Sequence, residues 1–125
     1  VADWRVETLA SDKGKKSGDG PPVLRLTENP DILATVSKHA TARPKLVVGF
    51  AAETRDVVAN AQAKLARKGC DLVVANDVST GTGVFAGARN TVHIVDRDGV
   101  TDWPTMDKSD VATRLVAEIA KRLKA

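Results

Sequence analysis

Residues 45–77, KLVVGFAAETRDVVANAQAKLARKGCDLVVAND, hold the clearest structural signal in the chain. Lys45–Phe50 and Asp71–Ala75 are short apolar runs next to turn-forming residues, which is typical of buried strands. Between them, Arg55–Lys68 repeats its apolar residues with helical spacing, and Gly69 follows as a typical helix terminator. A strand, a helix and a second strand in this order predict a crossover connection between two parallel strands.

The alternation of strands and helices continues on both sides of this segment. Pro30, preceded by Asn29 and followed by Asp31, predicts a capped helix start. Asp98-Gly99 predicts the turn of a hairpin. The other expected elements are strands over Val23–Leu26, Thr91–Val95 and Val100–Trp103, and helices from Pro30 to His39 or Ala40 and over Ser109–Leu123.

Together these elements predict an α/β fold. We expect a three-layer, Rossmann-like arrangement with a mostly parallel sheet, helices on both faces and a C-terminal antiparallel hairpin. The last helix is expected to carry one apolar stripe that comprises Val111, Leu115, Val116, Ile119 and Leu123. Residues 11–22 are rich in Lys, Gly and Asp, and we expect them to form a mobile basic loop.

The composition excludes several classes of function. A length of 125 residues fits one domain, and the net charge of +3 is far below that of a typical nucleic-acid-binding surface. Aromatic residues make up 3% of the chain, which argues against a platform for stacking bases. No apolar run reaches membrane-spanning length, and the single cysteine cannot form an internal disulfide. We therefore expect no nucleic-acid or membrane partner and a reducing, cytoplasmic location.

Lys64 and Lys68 are the strongest candidates for a binding site. At about 100° per residue, Lys68 falls inside the apolar stripe of its helix and Lys64 on the border, whereas Arg67 lies on the far side. A lysine in such a place either extends its stem along apolar surface to reach water or meets an anion held there. Spacing alone leaves both interpretations open.

Other candidates lie where strands end and helices begin. In open α/β sheets ligands bind beyond the carboxyl ends of the strands, where we expect Asp3, Phe50 with Ala51 to Thr54, and Asn76-Asp77. Free amides at the helix start around Pro30 are a candidate anion cradle, although most capped helices bind nothing. The loop Lys13-Gly14-Lys15-Lys16 either closes over a polyphosphate or is an ordinary solvated loop.

A set of motifs, read in order along the chain, agrees with a known family. The motifs are Val1-Ala2-Asp3-Trp4-Arg5, Lys13-Gly14-Lys15-Lys16, Asn29-Pro30-Asp31-Ile32-Leu33, Val48–Thr54, Lys64 with Lys68, Cys70–Val78, Phe85 and Asn90. They resemble phosphopantothenate–cysteine ligase, which in bacteria is the C-terminal domain of a bifunctional coenzyme A biosynthesis flavoprotein. The resemblance covers essentially the whole chain, and its most specific parts are Gly-Phe-Ala-Ala-Glu-Thr and the later Ala-Asn-Asp.

The resemblance implies a reaction. The carboxylate of 4′-phosphopantothenate attacks the α-phosphate of CTP, which releases pyrophosphate and leaves an acyl-cytidylate. The amine of cysteine then displaces CMP and forms an amide. Mg²⁺ is expected to help neutralise the triphosphate, whereas FMN is expected only on a separate decarboxylase domain. The resemblance also implies a homodimer whose contact involves the mobile loop and Val23–Leu26.

The resemblance also implies a set of site residues. Lys13 is the implied catalytic residue, because a cation on a closing loop stabilises the pentavalent phosphorus and the departing pyrophosphate. The implied nucleotide-binding residues are Asp3, Lys13, Pro30, Asp31, Ile32, Leu33, Phe50, Lys64 and Lys68. Whether Lys64 and Lys68 meet phosphate or base stays open.

The sequence departs from the family pattern in places. Gly14 replaces a bulky aliphatic residue, and Arg89 replaces an expected acid. The family's domain begins upstream of Val1 with a Gly-rich half, so we expect residues 1–125 to form the C-terminal part of a single ligase domain and to be inactive alone. The alternative functions are a non-catalytic nucleotide-binding module and a flavodoxin-like or dehydrogenase-like redox domain, although the absent glycine fingerprint argues against the redox domain.

Overall fold

The computed structural model of the chain describes residues 2–8, 18, 20–79 and 87–125. They divide into two compact units, Val1–Ile32 and Leu33–Ala125. The strands are β1 (Trp4–Val6), β2 (Leu26–Glu28), β3 (Val48–Glu53), β4 (Leu72–Asp77), β5 (Arg89–Asp96), β6 (Gly99–Asp102) and β7 (Met106–Asp107). The helices are α1 (Ile32–Ser37), α2 (Val57–Lys68) and α3 (Lys108–Lys124).

The first unit is built on a two-stranded antiparallel ribbon. In it β1 pairs with β2, and Arg5 lies opposite Thr27. The pairing continues past the strand ends, because the Asn29 N–H donates to the Asp3 carbonyl at 2.8 Å. The strand expected over Val23–Leu26 therefore begins at its last residue, Leu26, and runs to Glu28.

The second unit contains the main sheet, in the order β3-β4-β5-β6, with β7 also paired to β5. β3 and β4 are parallel, as the crossover through α2 requires. β5 is antiparallel to β4, β6 and β7. The predicted α/β class and C-terminal hairpin are confirmed, but the sheet of the described residues is mixed rather than mostly parallel. The reason is that β5 reverses direction after β4, which a parallel neighbour joined by a crossover would not do.

Helices cover both faces of this sheet, as predicted. Alternate residues of β4 point to opposite faces, so Val73 and Ala75 pack with α2 while Leu72 and Val74 pack toward α3. Ala61 of α2 is fully buried in the first layer. This three-layer core leaves β3 at the end of the described strand order, with Lys64 of α2 beside it.

Two expected helices differ in detail. α1 begins at Ile32, after Pro30 and Asp31, and ends at Ser37. Asn29 does not cap it, since the Asn29 side chain donates to the Ala2 carbonyl and accepts from Arg5. In α3, Val111 is buried as expected, whereas the side chains that were expected beside it, Val116 and Leu123, are 67% and 42% exposed.

Candidate functional site

Lys64 and Phe50 meet in the second unit. The Lys64 ammonium Nζ donates a hydrogen bond to the Phe50 carbonyl oxygen at 2.6 Å. Lys64 is half-buried, and the Phe50 residue is 55% exposed. The structure therefore brings together two candidates that are 14 residues apart in sequence.

The Phe50 carbonyl lies on the outer side of β3. The Val47 carbonyl accepts a hydrogen bond from the Asp71 N–H, and the Glu53 carbonyl accepts one from the Val78 N–H, so both carbonyls point toward β4. Because carbonyls alternate in direction along a strand, the Phe50 carbonyl points away from β4. Lys64 thus donates to a carbonyl oxygen that the described sheet leaves unpaired. The hydrogen bond holds the Lys64 ammonium at the edge of β3.

The unusual face of the α2 lysines is confirmed. Lys68 is half-buried like Lys64, whereas Arg67 is exposed. Gly69 ends the helix in a left-handed conformation with φ 76°, and its N–H donates to the Leu65 carbonyl at 3.0 Å.

Phe50 was expected at the carboxyl end of its strand, but β3 continues three residues beyond it to Glu53. The strand is longer because Ala51, Ala52 and Glu53 keep pairing with β4.

Leu33 packs directly on β3 beside Phe50. A Cβ built on Gly49 would lie 2.7 Å from Leu33 Cδ2, so Gly49 permits a close approach that any larger residue would block. Leu33 belongs to the apolar layer that also contains Ala51 and Ala61. The Leu33 side chain is therefore a packing contact, and only its backbone N–H remains as a candidate ligand contact.

The first unit brings Asp3 close to the segment around Pro30. Asn29, the residue before Pro30, bonds the Asp3 and Ala2 carbonyls through its backbone and side chain, both at 2.8 Å. Arg5 orients the Asn29 side chain, with Nη1 3.1 Å from Oδ1. Pro30 has no N–H, so the backbone N–H groups of the segment belong to Asp31, Ile32 and Leu33. Ile32 is 58% exposed.

The remaining predicted site residues lie elsewhere. Lys13 and Phe85 lie outside the described residues, as does most of the expected mobile loop. Asp3, Pro30, Asp31 and Ile32 belong to the first unit, whereas Leu33, Phe50, Lys64 and Lys68 belong to the second.

Polar side chains gather at the carboxyl end of β4. The Asn90 amide donates to Asn76 Oδ1 at 3.1 Å, while the buried Asn90 Oδ1 has no hydrogen-bond partner among the described residues. Hydrogen bonds from the hydroxyl and N–H of Ser79 hold the pKa of Asp77 below its ordinary value. These side chains form a charged and polar surface at the end of β4, beside the β3–α2 turn.

Arg89, the departure from the family pattern, has a clear structural partner. It donates to the Thr105 carbonyl at 2.8 Å and pairs with Asp107 at 3.6 Å. The residue therefore ties β5 to β7.

Asn60 is a residue that spacing did not single out. Its side-chain amide bonds the Glu53 carboxylate and the Arg55 carbonyl across the β3–α2 turn. A capping-type polar residue in the first turn of a helix is a weak signal, and only the fold reveals the partners.

Metal-ligand clusters are absent from the residues that the structure describes: no group of three or more His, Cys, Asp or Glu side chains in them could hold a metal ion. None of the helices described has the length and apolar character needed to cross a bilayer.

Comparisons with known proteins show the family of the chain. The family described as the DNA/pantothenate metabolism flavoprotein C-terminal domain matches residues 1–123. The chain belongs to this family. It is similar to the protein named coenzyme A biosynthesis bifunctional protein CoaBC from Haemophilus influenzae, with 43% identity over 122 residues, and from Escherichia coli K12, with 41% over 125. The Bacillus subtilis protein of the same name is 40% identical over 121 residues.

The chain matches only part of each relative's length. The alignments with the H. influenzae and E. coli proteins cover 98% of this chain and 30% of each relative. The alignment with the B. subtilis protein covers 96% of this chain and 29% of the relative. A crystal structure of the C-terminal domain of CoaBC matches with TM-score 0.72 and 30% identity, and covers 99% of this chain and 51% of that one. A Streptococcus pneumoniae DNA/pantothenate metabolism flavoprotein shares the fold at TM-score 0.67 and 20% identity, over 98% of this chain and 57% of that one.

Proposed function

We propose that this chain is the C-terminal part of a cytoplasmic phosphopantothenate–cysteine ligase that acts in coenzyme A biosynthesis. In the proposed reaction, CTP activates the carboxylate of 4′-phosphopantothenate as an acyl-cytidylate and releases pyrophosphate. Cysteine then attacks through its amine and releases CMP. The observation that carries the proposal is the half-buried Lys64 at the edge of β3 beside Phe50, in a chain of this family.

The geometry supports Lys64 as a ligand contact. A surface lysine that only solubilised α2 would point into solvent, as the exposed Arg67 does. Lys64 instead holds its cation at an outward carbonyl, where a nucleotide could accept the same hydrogen bonds. Lys68 lies one turn away on the same helix face, so an anionic ligand could meet both.

The other roles follow from chemistry. Asp3 and the N–H groups of Asp31, Ile32 and Leu33 are proposed contacts to the nucleotide, with Pro30 fixing the backbone before them. Phe50 is proposed to lie against the nucleotide, and Lys13 to stabilise the transition state for loss of pyrophosphate. Mg²⁺ would come with CTP, held chiefly by phosphate oxygens.

A homodimer is part of the proposal. Val23, Leu24 and Leu26 are 93%, 61% and 56% exposed. Neighbouring exposed apolar side chains favour a protein contact over solvent. They lie in the segment that the family resemblance assigns to the dimer contact.

The experiment is a calorimetric titration of the chain with CTP in the presence of Mg²⁺. We expect wild type to bind, and Lys64→Met and Lys68→Met to bind about tenfold more weakly, since a charge-assisted bond to phosphate contributes about 1.5–3 kcal/mol. Lys121→Met, on the exposed side of α3, is the matched control and should bind like wild type. Equal affinity in all four proteins would remove the lysines from the site.

Turnover separates the ligase from a nucleotide-binding module without catalysis. The chain covers 51% of the solved CoaBC C-terminal domain, so we expect the 125 residues alone to bind CTP without releasing pyrophosphate. A protein of the relatives' length should release pyrophosphate when 4′-phosphopantothenate is added. Binding by both proteins with release by neither would favour the non-catalytic alternative.

A further inference from the structure

The turn between β3 and α2 contains a residue in a left-handed conformation. Asp56 precedes α2 with φ 45° and ψ 44°, and its side chain makes no capping hydrogen bond. This conformation is unfavourable for a residue with a Cβ, so surrounding contacts must hold it. It is the one positive φ of a non-glycine residue within the described ranges.

Asn60 contacts this turn through its backbone and its side chain. Its N–H donates to the Asp56 carbonyl at 2.8 Å, and its side-chain Nδ2 donates to the Arg55 carbonyl at 2.9 Å. The same Nδ2 lies 3.3 Å from the Glu53 carboxylate oxygen Oε2. A single residue of α2 therefore bonds two consecutive carbonyls of the turn and the last residue of β3.

These bonds fix the start of α2 relative to β3. Lys64 lies four residues after Asn60, on the same face and about 6 Å further along the helix axis. The Lys64–Phe50 hydrogen bond joins the same helix to the same strand at 2.6 Å. A movement of the first turn would therefore carry the Lys64 ammonium along the edge of β3 and change what it can reach.

We propose that Asn60 is a positioning residue of the nucleotide site: by linking Glu53 and the β3–α2 turn to α2, it sets where Lys64 meets the nucleotide. The identity of the ligand rests on the proposed function. The positioning itself rests on the hydrogen bonds of Asn60 and Lys64, and can be tested without a ligand.

The test uses charge and pH. Asn60→Asp would place a carboxylate about 3.3 Å from that of Glu53, and two carboxylates at this distance cannot both ionise without repulsion. Gln62→Glu adds the same charge to an exposed position of α2 and is the matched control. CTP affinity of each variant is measured at about pH 8 and about pH 5.5, where the close pair can share a proton.

We expect Asn60→Asp to bind CTP about tenfold more weakly than Gln62→Glu at the higher pH, and within about threefold at the lower pH. Asn60→Ala, which lacks the amide but adds no charge, should be weakened at both pH values without recovery. If Asn60→Asp does not fold, the CTP affinity of Asn60→Ala, compared with that of Gln62→Glu, tests the proposal instead. Equal affinity of every Asn60 variant and the control would overturn the proposal.

A measurement without nucleotide distinguishes this inference from the proposed function. The NMR resonances of the Phe50 carbonyl carbon and the Lys64 Nζ should shift with pH in Asn60→Asp, beyond any change in Gln62→Glu. If they do so while no protein, wild type included, binds CTP, the positioning stands and the proposed function fails. If they do not move, Asn60 does not position Lys64.

Discussion

The ammonium of Lys64 is held 2.6 Å from the Phe50 carbonyl oxygen, on the side of β3 that faces away from β4. The bond joins the helix and the strand of the crossover unit, and both of its residues are candidate ligand contacts. It also gives the cation a partner in the absence of any ligand. A ligand anion would therefore replace the Phe50 carbonyl oxygen as the acceptor of the Lys64 hydrogen bond. The Lys64 ammonium would not have to come from bulk water to meet it.

This exchange predicts that Lys64 contributes little to stability. In Lys64→Met without nucleotide, the Phe50 carbonyl at the edge can bond water, so the free energy of unfolding should fall by less than about 1 kcal/mol. Urea unfolding followed by circular dichroism measures it. A loss above about 3 kcal/mol would mean that Lys64 is a structural residue, and the proposed ligand role would lose its support.

Asp71 should matter far more for stability. Its Oδ2 accepts from the Val47 N–H at 2.8 Å and from Arg43 Nη2 at 3.0 Å. Asp71→Ala leaves both donors without this acceptor, so we expect a loss of about 1–3 kcal/mol in the free energy of unfolding. Asp98→Ala, at the exposed hairpin turn, is the control and should change the value by less than about 0.5 kcal/mol. A loss in the control as large as that of Asp71→Ala would contradict the prediction.

Gly49 should not tolerate alanine without movement of Leu33. The added Cβ would lie 2.7 Å from Leu33 Cδ2, and overpacking of this kind costs about 1–3 kcal/mol. Thermal unfolding of Gly49→Ala measures the loss. Leu33→Val in the same protein should restore part of it, whereas strictly additive effects of the two substitutions would show that they do not interact.

The lowered pKa of Asp96 predicts that the stability of the protein depends on pH. Burial by itself would raise its pKa, but hydrogen bonds from Arg122 and from the Asp98 and Gly99 N–H groups outweigh burial and lower the pKa below its ordinary value. A carboxyl whose pKa is lower in the folded state stabilises the protein above the unfolded pKa. That contribution is lost as the pH falls through the folded pKa.

Asp96→Asn should therefore destabilise the protein by about 1–2 kcal/mol near neutral pH, and the difference from wild type should shrink below about pH 4. Guanidinium unfolding across the pH range provides the measurement. Asp110→Asn, in the exposed first turn of α3, serves as the control. A difference for Asp96→Asn that stays constant down to acid pH would contradict the assignment.

Cys70 should react slowly while the protein is folded. The residue is 8% exposed, and burial is the main cause that raises the pKa of its thiol. Since the thiolate is the nucleophile, we expect slow labelling by a disulfide reagent near pH 8 and rapid labelling in denaturant. Fast labelling of the folded chain would show that the β3–β4 region opens readily.

Local sequence signals determined the crossover unit. The apolar runs of β3 and β4, the helical spacing of α2 and the terminator Gly69 depend on neighbours within a few residues, so they can be identified without the fold. The same spacing identified Lys64 and Lys68 as lysines on the core-facing side, because the face of a helix follows from its period. The α/β class and the hairpin at Asp98-Gly99 followed in the same way.

Signals that depend on distant partners were less informative. Asn29 looks like a helix cap, but its side chain is taken by Ala2 and Arg5, which only the pairing of β1 with β2 brings near. Val116 fits the apolar stripe of α3 by spacing, yet a helix packs one arc of its surface on a sheet and Val116 lies outside that arc.

The sequence by itself determined the crossover unit, the hairpin at Asp98-Gly99 and the face of α2 that carries the lysines, since each depends on local geometry. Only the tertiary structure decided that β5 runs antiparallel to β4, that Lys64 reaches the Phe50 carbonyl, and that Asn60 holds Glu53 and Arg55. Each of these relationships joins residues from different elements. Their distances arise from the packing of the sheet and helices, which no local pattern encodes.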